Sequence, residues 1–342
     1  VQLTHQQILA NCVSVRAALD VDVGDVVLTP LPLFHSMGLV PGFWLALDCG
    51  LTIAAHPDPM DAKGIGALAE KTQATFTITT ATFVRGWMRR VEPEQFRSLR
   101  FAVAGAERCP ADLRQSFKTK YGTDLLEGYG CTELAPVVAV NMQTISRLGE
   151  TEIRTRDGTV GRPLPGIQVV ATDPVSRAVL PIGQEGILVV RSPARMLGYL
   201  SRPDLDAKVF IHGGYDTGDI GRIDADGYVT ITGRLARFAK IGGEMVPLDT
   251  VEDALQTALG DRCEIAVAAV QDPERGERLV VLVVGASAPP ADEIVAGGTT
   301  LAPIWRPKAR DVFVVAVIPK LGTGKKDLAG IKRLAQEVAT AK

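Results

Sequence analysis

The stretch Leu126-Glu127-Gly128-Tyr129-Gly130-Cys131-Thr132-Glu133 places an apolar lead-in before two glycines that bracket an aromatic, then a hydroxyl and a carboxylate. Glycines permit a tight turn and close approach of a ligand to the backbone. A hydroxyl and a carboxylate beyond such a turn offer the hard oxygen donors that hold a phosphate and a cation such as Mg²⁺. The same residues also suit a strand-end loop in which Thr132 or Glu133 caps the next helix. The stretch alone leaves both readings open, and the surrounding chain has to decide.

Upstream of it, apolar segments at 26–28, 51–55, 75–79 and 101–104 read as strands. Helical patterns separate them at 62–72, 83–90 and 111–121, the last with Leu113, Phe117 and Tyr121 on one face. Residues 5–19 form a further helix capped by Thr4, with Ile8, Leu9, Cys12, Val15 and Leu19 at the spacing of one face. Strands alternating with helices predict an α/β fold with a mostly parallel sheet covered on both sides. Ligands of such sheets sit at the carboxyl ends of the strands. Gly105-Ala106-Glu107 and the stretch 126–133 both occupy that position. The segment Leu31-Pro32-Leu33-Phe34-His35-Ser36-Met37-Gly38 reads as a rigid loop. In it His35 suits either a gate or pocket wall, or a histidine hydrogen-bonded in a core loop.

After about Val140 the strands become short and are divided by Gly and Pro, as in Gly161-Arg162-Pro163-Leu164-Pro165-Gly166. This texture predicts a small antiparallel barrel or sandwich appended to the sheet. Tyr215-Asp216-Thr217-Gly218-Asp219 and a hairpin centred on Asp226-Gly227 follow. A second domain begins at Gly233-Arg234, with a helix at 251–259, strands at 265–270 and 279–284, and a looser stretch at 286–302. It closes with Pro319-Lys320-Leu321-Gly322-Thr323-Gly324-Lys325 and a helix from Leu328. The predicted organisation is therefore a large domain over 1–232, made of an α/β region (1–145) and a barrel-like region (146–232), and then a small domain over 233–342.

Composition narrows the function classes. The 342 residues are 46% hydrophobic and 22% charged with a net charge of −2, which leaves no basic footprint for nucleic acid and no polybasic membrane patch. The cysteines Cys12, Cys49, Cys109, Cys131 and Cys263 are scattered singly, so neither a zinc cluster nor a disulfide framework is supported, and a reducing, cytosolic compartment is expected. The most apolar window, 37–55, contains Pro41 and Asp48 and is not expected to span a membrane. Val1-Gln2-Leu3-Thr4-His5 has no initiator methionine and runs straight into a helix, so the chain reads as a piece of something longer.

Tyr129-Gly130-Cys131-Thr132-Glu133, Gly161-Arg162-Pro163, Gly198-Tyr199, Tyr215-Asp216-Thr217-Gly218-Asp219 and Gly324-Lys325 resemble, in order and spacing, the motifs of the adenylate-forming superfamily. That superfamily holds acyl-CoA synthetases, luciferase and the adenylation domains of peptide synthetases. Leu126-Glu127-Gly128-Tyr129, Gly214-Tyr215-Asp216-Thr217-Gly218-Asp219 and residues 237–246 are most similar to the synthetase region of bacterial bifunctional acyl-ACP synthetase/2-acylglycerophosphoethanolamine acyltransferases. The resemblance covers essentially the whole chain. It implies a large adenylate-forming domain, here without its N-terminal portion, followed by a small mobile α+β domain.

The resemblance further implies a two-step reaction. A fatty acid carboxylate attacks the α-phosphate of MgATP, and a thiol of acyl carrier protein or CoA then displaces AMP from the acyl-adenylate. By the same resemblance Thr132 binds a phosphate oxygen and Glu133 ligates Mg²⁺. Gly105, Ala106, Glu107, Gly128, Tyr129 and Gly130 line the adenine, and Tyr129 stacks on it. Asp219 and Arg234 take the ribose hydroxyls, His35 borders the acyl pocket, and Lys325 bridges carboxylate and α-phosphate in the first step. In the parent protein the resemblance implies a fused acyltransferase and phospholipid remodelling at the inner membrane.

Two departures stand against this pattern. The chain opens at Val1-Gln2-Leu3-Thr4-His5, just after the place of the family's Ser/Thr/Gly-rich phosphate loop, so the isolated chain is expected to be poorly active. At the hinge, where Asp or Lys is usual, this chain has Ala236. Lys326 follows Lys325 and competes with it, though the motif's Gly-Lys pair favours Lys325. An amino-acid adenylation domain is the alternative enzyme, disfavoured because no Asp stands near Phe34-His35-Ser36 and the neighbouring Phe43, Trp44 and Leu45 are apolar. A non-catalytic nucleotide-binding remnant is the alternative outside enzymes.

Overall fold

Thr4 starts the first helix by a reciprocal exchange with Gln7: its Oγ1 accepts the Gln7 N–H at 3.2 Å and its own N–H donates to Gln7 Oε1 at 2.8 Å. Helix α1 (His5–Ala18) then buries Cys12, Val15 and Ala18. Leu9, expected on that face, is 40% exposed, because it lies about 120° round the helix from Val15. The computed structural model describes residues 1–143, 145–147, 150–152, 154–285, 288–320 and 326–340. The chain divides into two compact units, Val1–Thr232 and Gly233–Lys342.

In the first unit β1 (Val26–Thr29), β2 (Thr52–Ala55), β3 (Phe76–Thr79), β4 (Phe101–Ala104) and the front half of β5 (Asp124–Gly130) pair in parallel. Together with β6 (Val137–Val140) they line up as β2-β1-β3-β4-β5-β6. Period-two alternation sorts their side chains onto two faces. Val27, Phe76, Phe101 and Leu126 enter one core with Cys12 and Val15 of α1. The Phe76 and Phe101 rings stack there with centroids 5.3 Å apart. Leu28, Ala102 and Leu125 enter the opposite core.

The helices follow the same logic. After β1 come α2 (Ser36–Leu39), a π-turn over Val40–Trp44 and α3 (Leu45–Cys49), which packs on the α1 side. On the other face lie α4 (Ala62–Thr72), α5 (Ala81–Arg90) and α6 (Ala111–Tyr121), contributing Ile65, Trp87 and Phe117. No helix among the described residues is long and apolar enough to cross a membrane.

The stretch 126–133 begins as a strand rather than a turn. Asp124 to Glu127 pair with β4 in parallel, and Gly128 to Gly130 then pair with the antiparallel β6. Neither Gly128 nor Gly130 has a positive φ. A Cβ on Gly130 would strike the Pro136 carbonyl, and one on Gly128 would come within 3.1 Å of Val103 Cγ1. These glycines serve close packing with neighbouring backbone and side chains.

A ribbon of β7 (Ile145–Arg147) and β8 (Glu150–Glu152) follows. Next, β9 (Arg162–Pro163) returns to pair with β6, so it belongs to the first sheet and not to the antiparallel region in which its sequence texture set it. The antiparallel region is a sheet of β10 (Gln168–Thr172), β11 (Gly186–Arg191), β12 (Phe210–Ile211) and β13 (Gly214–Ile223) in the order β10-β11-β13-β12. Helix α7 (Pro203–Val209) precedes β12, and β14 (Val229–Arg234) also pairs with β13. Its Val169, Leu188, Val190 and Tyr215 share a core with Leu134 and Val138, which tie the two sheets together.

The second unit opens with the turn Leu235–Arg237, which contains Ala236. Then β15 (Phe238–Ile241) and β16 (Glu244–Pro247) form a hairpin over Gly242-Gly243, whose φ values of 59° and 89° suit the twist of a two-residue hairpin. Helix α8 (Leu248–Leu259) covers one face of the long pair β17 (Glu264–Asp272) and β18 (Gly276–Val284). The stretch expected to be loose holds α9 (Ala291–Ala296), and β19 (Val312–Val314) pairs in parallel with β18. Helix α10 (Leu328–Thr340) covers the other face through Ile331 and Ala335.

Candidate active site

The candidate residues of the first unit gather where β5 leaves its parallel partner. Tyr129, carried by the second half of β5, donates its hydroxyl to Asp219 Oδ2 at 2.5 Å. Asp219 is only 3% exposed and sits in β13 after Gly218, whose φ of +68° kinks the strand. Its N–H donates to Thr217 Oγ1 at 3.1 Å. Burial, followed by the charge of Asp219, pushes the Tyr129 phenol well above its ordinary range, so the proton stays on Tyr129 and the carboxylate accepts it.

Beyond β5 the chain makes the short helical turn Thr132–Leu134. Thr132 Oγ1 lies 3.1 Å from Ser36 Oγ, on the first residue of α2, beyond the loop that follows β1. Glu133 Oε1 accepts the Tyr199 hydroxyl at 2.8 Å, Tyr199 stands 3.1 Å from the Tyr215 hydroxyl, and the Glu133 carbonyl accepts Met196 N–H at 2.8 Å. Burial is the main cause that raises the Tyr199 phenol to about 12, so this residue too is a donor. Burial, helped by Glu133 and Asp219, pushes the Cys131 thiol well up, which removes it as a nucleophile at neutral pH.

The turn is held from beneath by Asn11, which is fully buried on α1. Its Nδ2 donates to the carbonyls of Val137 at 2.8 Å and Leu134 at 3.4 Å, while its Oδ1 accepts Val137 N–H at 3.2 Å. Glu127, one residue before Gly128, pairs with Arg114 of α6. Sequence reasoning missed Asn11, Ser36 and Tyr199 as members of the site. A polar residue on the face of α1 that also carries Cys12 and Val15 was the signal available for Asn11. Gly198-Tyr199 and Ser36 were noticed as motif and loop residues without a role.

At the end of β4, Gly105 N–H donates to the Thr79 carbonyl at 3.0 Å, and a Cβ there would meet Met37 Sδ at 3.0 Å. Ala106 holds the left-handed φ of +67°, a strained backbone for a residue with a Cβ. The Glu107 carboxylate accepts Thr82 N–H at 2.6 Å and Thr82 Oγ1–H at 3.0 Å, an N-terminal brace for α5 that the sequence did not announce. His35 caps α2 through Nδ1, which accepts Met37 N–H at 3.2 Å, and it directly precedes Ser36.

In the second unit Arg234 is exposed at the end of β14. Lys325 lies outside the described residues. Its rival Lys326 is committed elsewhere: its Nζ donates to Glu252 Oε1 at 2.6 Å and to the Ile265 carbonyl at 2.7 Å.

A buried acceptor-only carboxylate held by a phenol, and a hydroxyl next to a second carboxylate, stand together at the carboxyl edge of the parallel sheet, the place where ligands of such sheets bind. The oxygen donors Thr132 and Glu133 fit a hard divalent cation. The chain belongs to the AMP-binding enzyme family, whose family model matches residues 1–200. Among curated relatives it is 31% identical over 289 residues to a long-chain-fatty-acid–CoA ligase of Escherichia coli O157:H7, a match covering 82% of this chain and 49% of that protein. A feruloyl-CoA synthase of Amycolatopsis sp is 31% identical over 94% of this chain and 64% of its own length. The chain thus spans about half the length of the fatty-acid ligases it matches. ATP-bound MatB from Rhodopseudomonas palustris superposes with a TM-score of 0.83 at 26% identity, covering 98% of this chain and 65% of that one. MenE from Bacillus subtilis, solved with ATP and magnesium ion, shares the fold at a TM-score of 0.82 and 22% identity, over 96% of this chain and 66% of that one.

Proposed function

We propose that this protein is an AMP-forming acid–thiol ligase that activates a fatty acid with ATP and passes the acyl group to coenzyme A or acyl carrier protein. The observation that carries the reading is the meeting of Ser36, Thr132, Glu133, Tyr199, Tyr129 and Asp219 at the end of β5. The names of the relatives, fatty-acid–CoA ligases among them, support it.

In the first step a carboxylate oxygen forms a bond to the α-phosphorus and the bond to pyrophosphate breaks. In the second a thiol sulfur bonds to the acyl carbon and AMP leaves. Both reactants of the first step are anions, so electrostatic stabilisation governs it. Asp219 accepts the ribose hydroxyls, with Tyr129 holding one carboxylate oxygen in place, and Arg234 assists on the ribose. Gly105, Ala106, Glu107, Gly128 and Gly130 border the adenine. Thr132 donates to a phosphate oxygen. Glu133, oriented by Tyr199, would hold Mg²⁺, which would neutralise phosphate charge when bound. His35 stands on the acyl side, Ala236 is the pivot between the two steps, and Lys325 supplies the ammonium for the first of them.

The test is fatty-acid-dependent exchange of pyrophosphate into ATP by the full-length protein, followed by thioester formation with coenzyme A and acyl carrier protein side by side. Lys325→Ala is expected to lower exchange by about 10²–10³-fold while ATP binding persists. Exchange that responds to amino acids and to no fatty acid would overturn the choice of substrate. No exchange with any acid would overturn the reading itself.

A further inference from the structure

Gln7 and Asn11 stand four residues apart on α1 and so share one of its faces. From that face both reach the backbone on either side of Glu133. Gln7 Nε2 donates to the Arg195 carbonyl at 2.5 Å, and the next residue, Met196, donates its N–H to the Glu133 carbonyl at 2.8 Å. Asn11, fully buried, spans the chain just beyond: its Nδ2 donates to the Leu134 and Val137 carbonyls and its Oδ1 accepts the Val137 N–H. Between these anchor points lies Ala135, fully buried and at a φ of +59°. Its N–H closes the turn on the Thr132 carbonyl at 3.2 Å.

A left-handed backbone is uncommon for a residue with a Cβ and persists only where the surroundings over-determine it. Here Asn11 ties the residue before Ala135 and the residue two beyond it to a single buried side chain. Relaxing Ala135 to a negative φ would swing the turn Thr132–Leu134 relative to β6, and with it the Thr132 hydroxyl and the Glu133 carboxylate. Glycine at 135 would take the same φ without strain and without a clamp, but would leave the turn free to adopt others. We infer that Asn11 is a positioning residue for the phosphate and cation end of the site: by holding Ala135 left-handed it sets where Thr132 and Glu133 point. The inference rests on the proposed ligase function and on the roles given there to Thr132 and Glu133. Asn11 acts through the backbone of the turn and not on substrate. A displacement of about 1 Å at a reacting centre costs on the order of 10²-fold in rate.

The experiment compares Asn11→Ala, Ala135→Gly and the double variant in the full-length protein, with each rate expressed per folded molecule from circular dichroism. In Asn11→Ala, pyrophosphate exchange is expected to fall about 10–100-fold and the Kd for MgATP to rise about 10-fold by calorimetry. The Kd for adenosine, which meets only the ribose and base side, should stay within about twofold. Because Ala135→Gly removes the strain, adding Asn11→Ala to it should lower exchange by less than about threefold. This second comparison decides the matter if Asn11→Ala alone does not fold. Equal losses from Asn11→Ala in the two backgrounds would overturn the inference. So would wild-type exchange per folded molecule in Asn11→Ala, or an adenosine Kd that rises as much as that for MgATP. Full exchange in Glu133→Ala would remove its premise, and a wild type without exchange would instead overturn the ligase reading.

Discussion

At the residue scale, the Tyr129–Asp219 hydrogen bond is the contact that joins β5 to β13 in the candidate site. The carboxylate is buried, and the phenol that donates to it keeps its proton at every physiological pH because burial and the neighbouring charge both oppose ionisation. Replacing Tyr129 by Phe removes a donor from a buried charge and is expected to lower stability by about 1–3 kcal/mol, measured by urea unfolding. An unchanged midpoint would show that water replaces the phenol without cost. The residues of this pair were legible in the sequence, each within its motif. Their contact was not, because they lie 90 positions apart and no local pattern states which strands will meet. Asn11 illustrates the opposite limit: its contacts with Leu134 and Val137, at separations of 123 and 126, left only a polar residue beside Cys12 and Val15 on the buried face of α1 as their trace.

At the element scale, the fate of residues 126–133 shows how secondary structure follows from neighbours. Two glycines around an aromatic suit a turn locally, yet Gly128 to Gly130 stay extended because β6 arrives to pair with them and Pro136 leaves no room for a Cβ. Similarly, the sequence texture of 161–166 pointed to the antiparallel region, whereas the hydrogen bonds of β9 go to β6. The ion-pair set around α8 carries a pH signature. Burial pushes the Glu252 carboxyl up, but Lys326 and then Arg237 outweigh it and hold it below its ordinary 4.5. A depressed folded-state value means that the stabilisation is complete above the unfolded value and is lost as pH falls through the folded one. The second unit is therefore expected to lose stability on acidification below about pH 4, with a shallower loss in Glu252→Gln. Equal acid slopes in the two proteins, from denaturation midpoints across the acid range, would count against the pairing.

At the scale of the whole molecule, each unit encloses its own apolar clusters, on both faces of the parallel sheet in one and on both faces of β17 and β18 in the other. Separate cores predict that heat unfolding departs from a single two-state transition. Calorimetry should give a measured enthalpy above the van't Hoff value, and Val251→Ala in the second core should shift only the component that belongs to 233–342. A ratio of one with a single shifted peak would contradict independent units.

The amino-acid sequence by itself determined the helices and strands whose burial repeats at 3.6 or 2 residues, the alternation that makes the first sheet parallel, and the family to which Tyr129-Gly130-Cys131-Thr132-Glu133 and Asp219 belong. Those signals are short-range, set by which side of an element faces water. Only the tertiary structure decided that residues 126–130 are a strand, that Glu107 braces a helix, that Lys326 is tied to Glu252, and that Glu133 is oriented by Tyr199. Each of these depends on a partner brought in by the path of the chain, and a hydrogen bond or ion pair acts only once donor and acceptor stand within about 3 Å, whatever their distance in sequence.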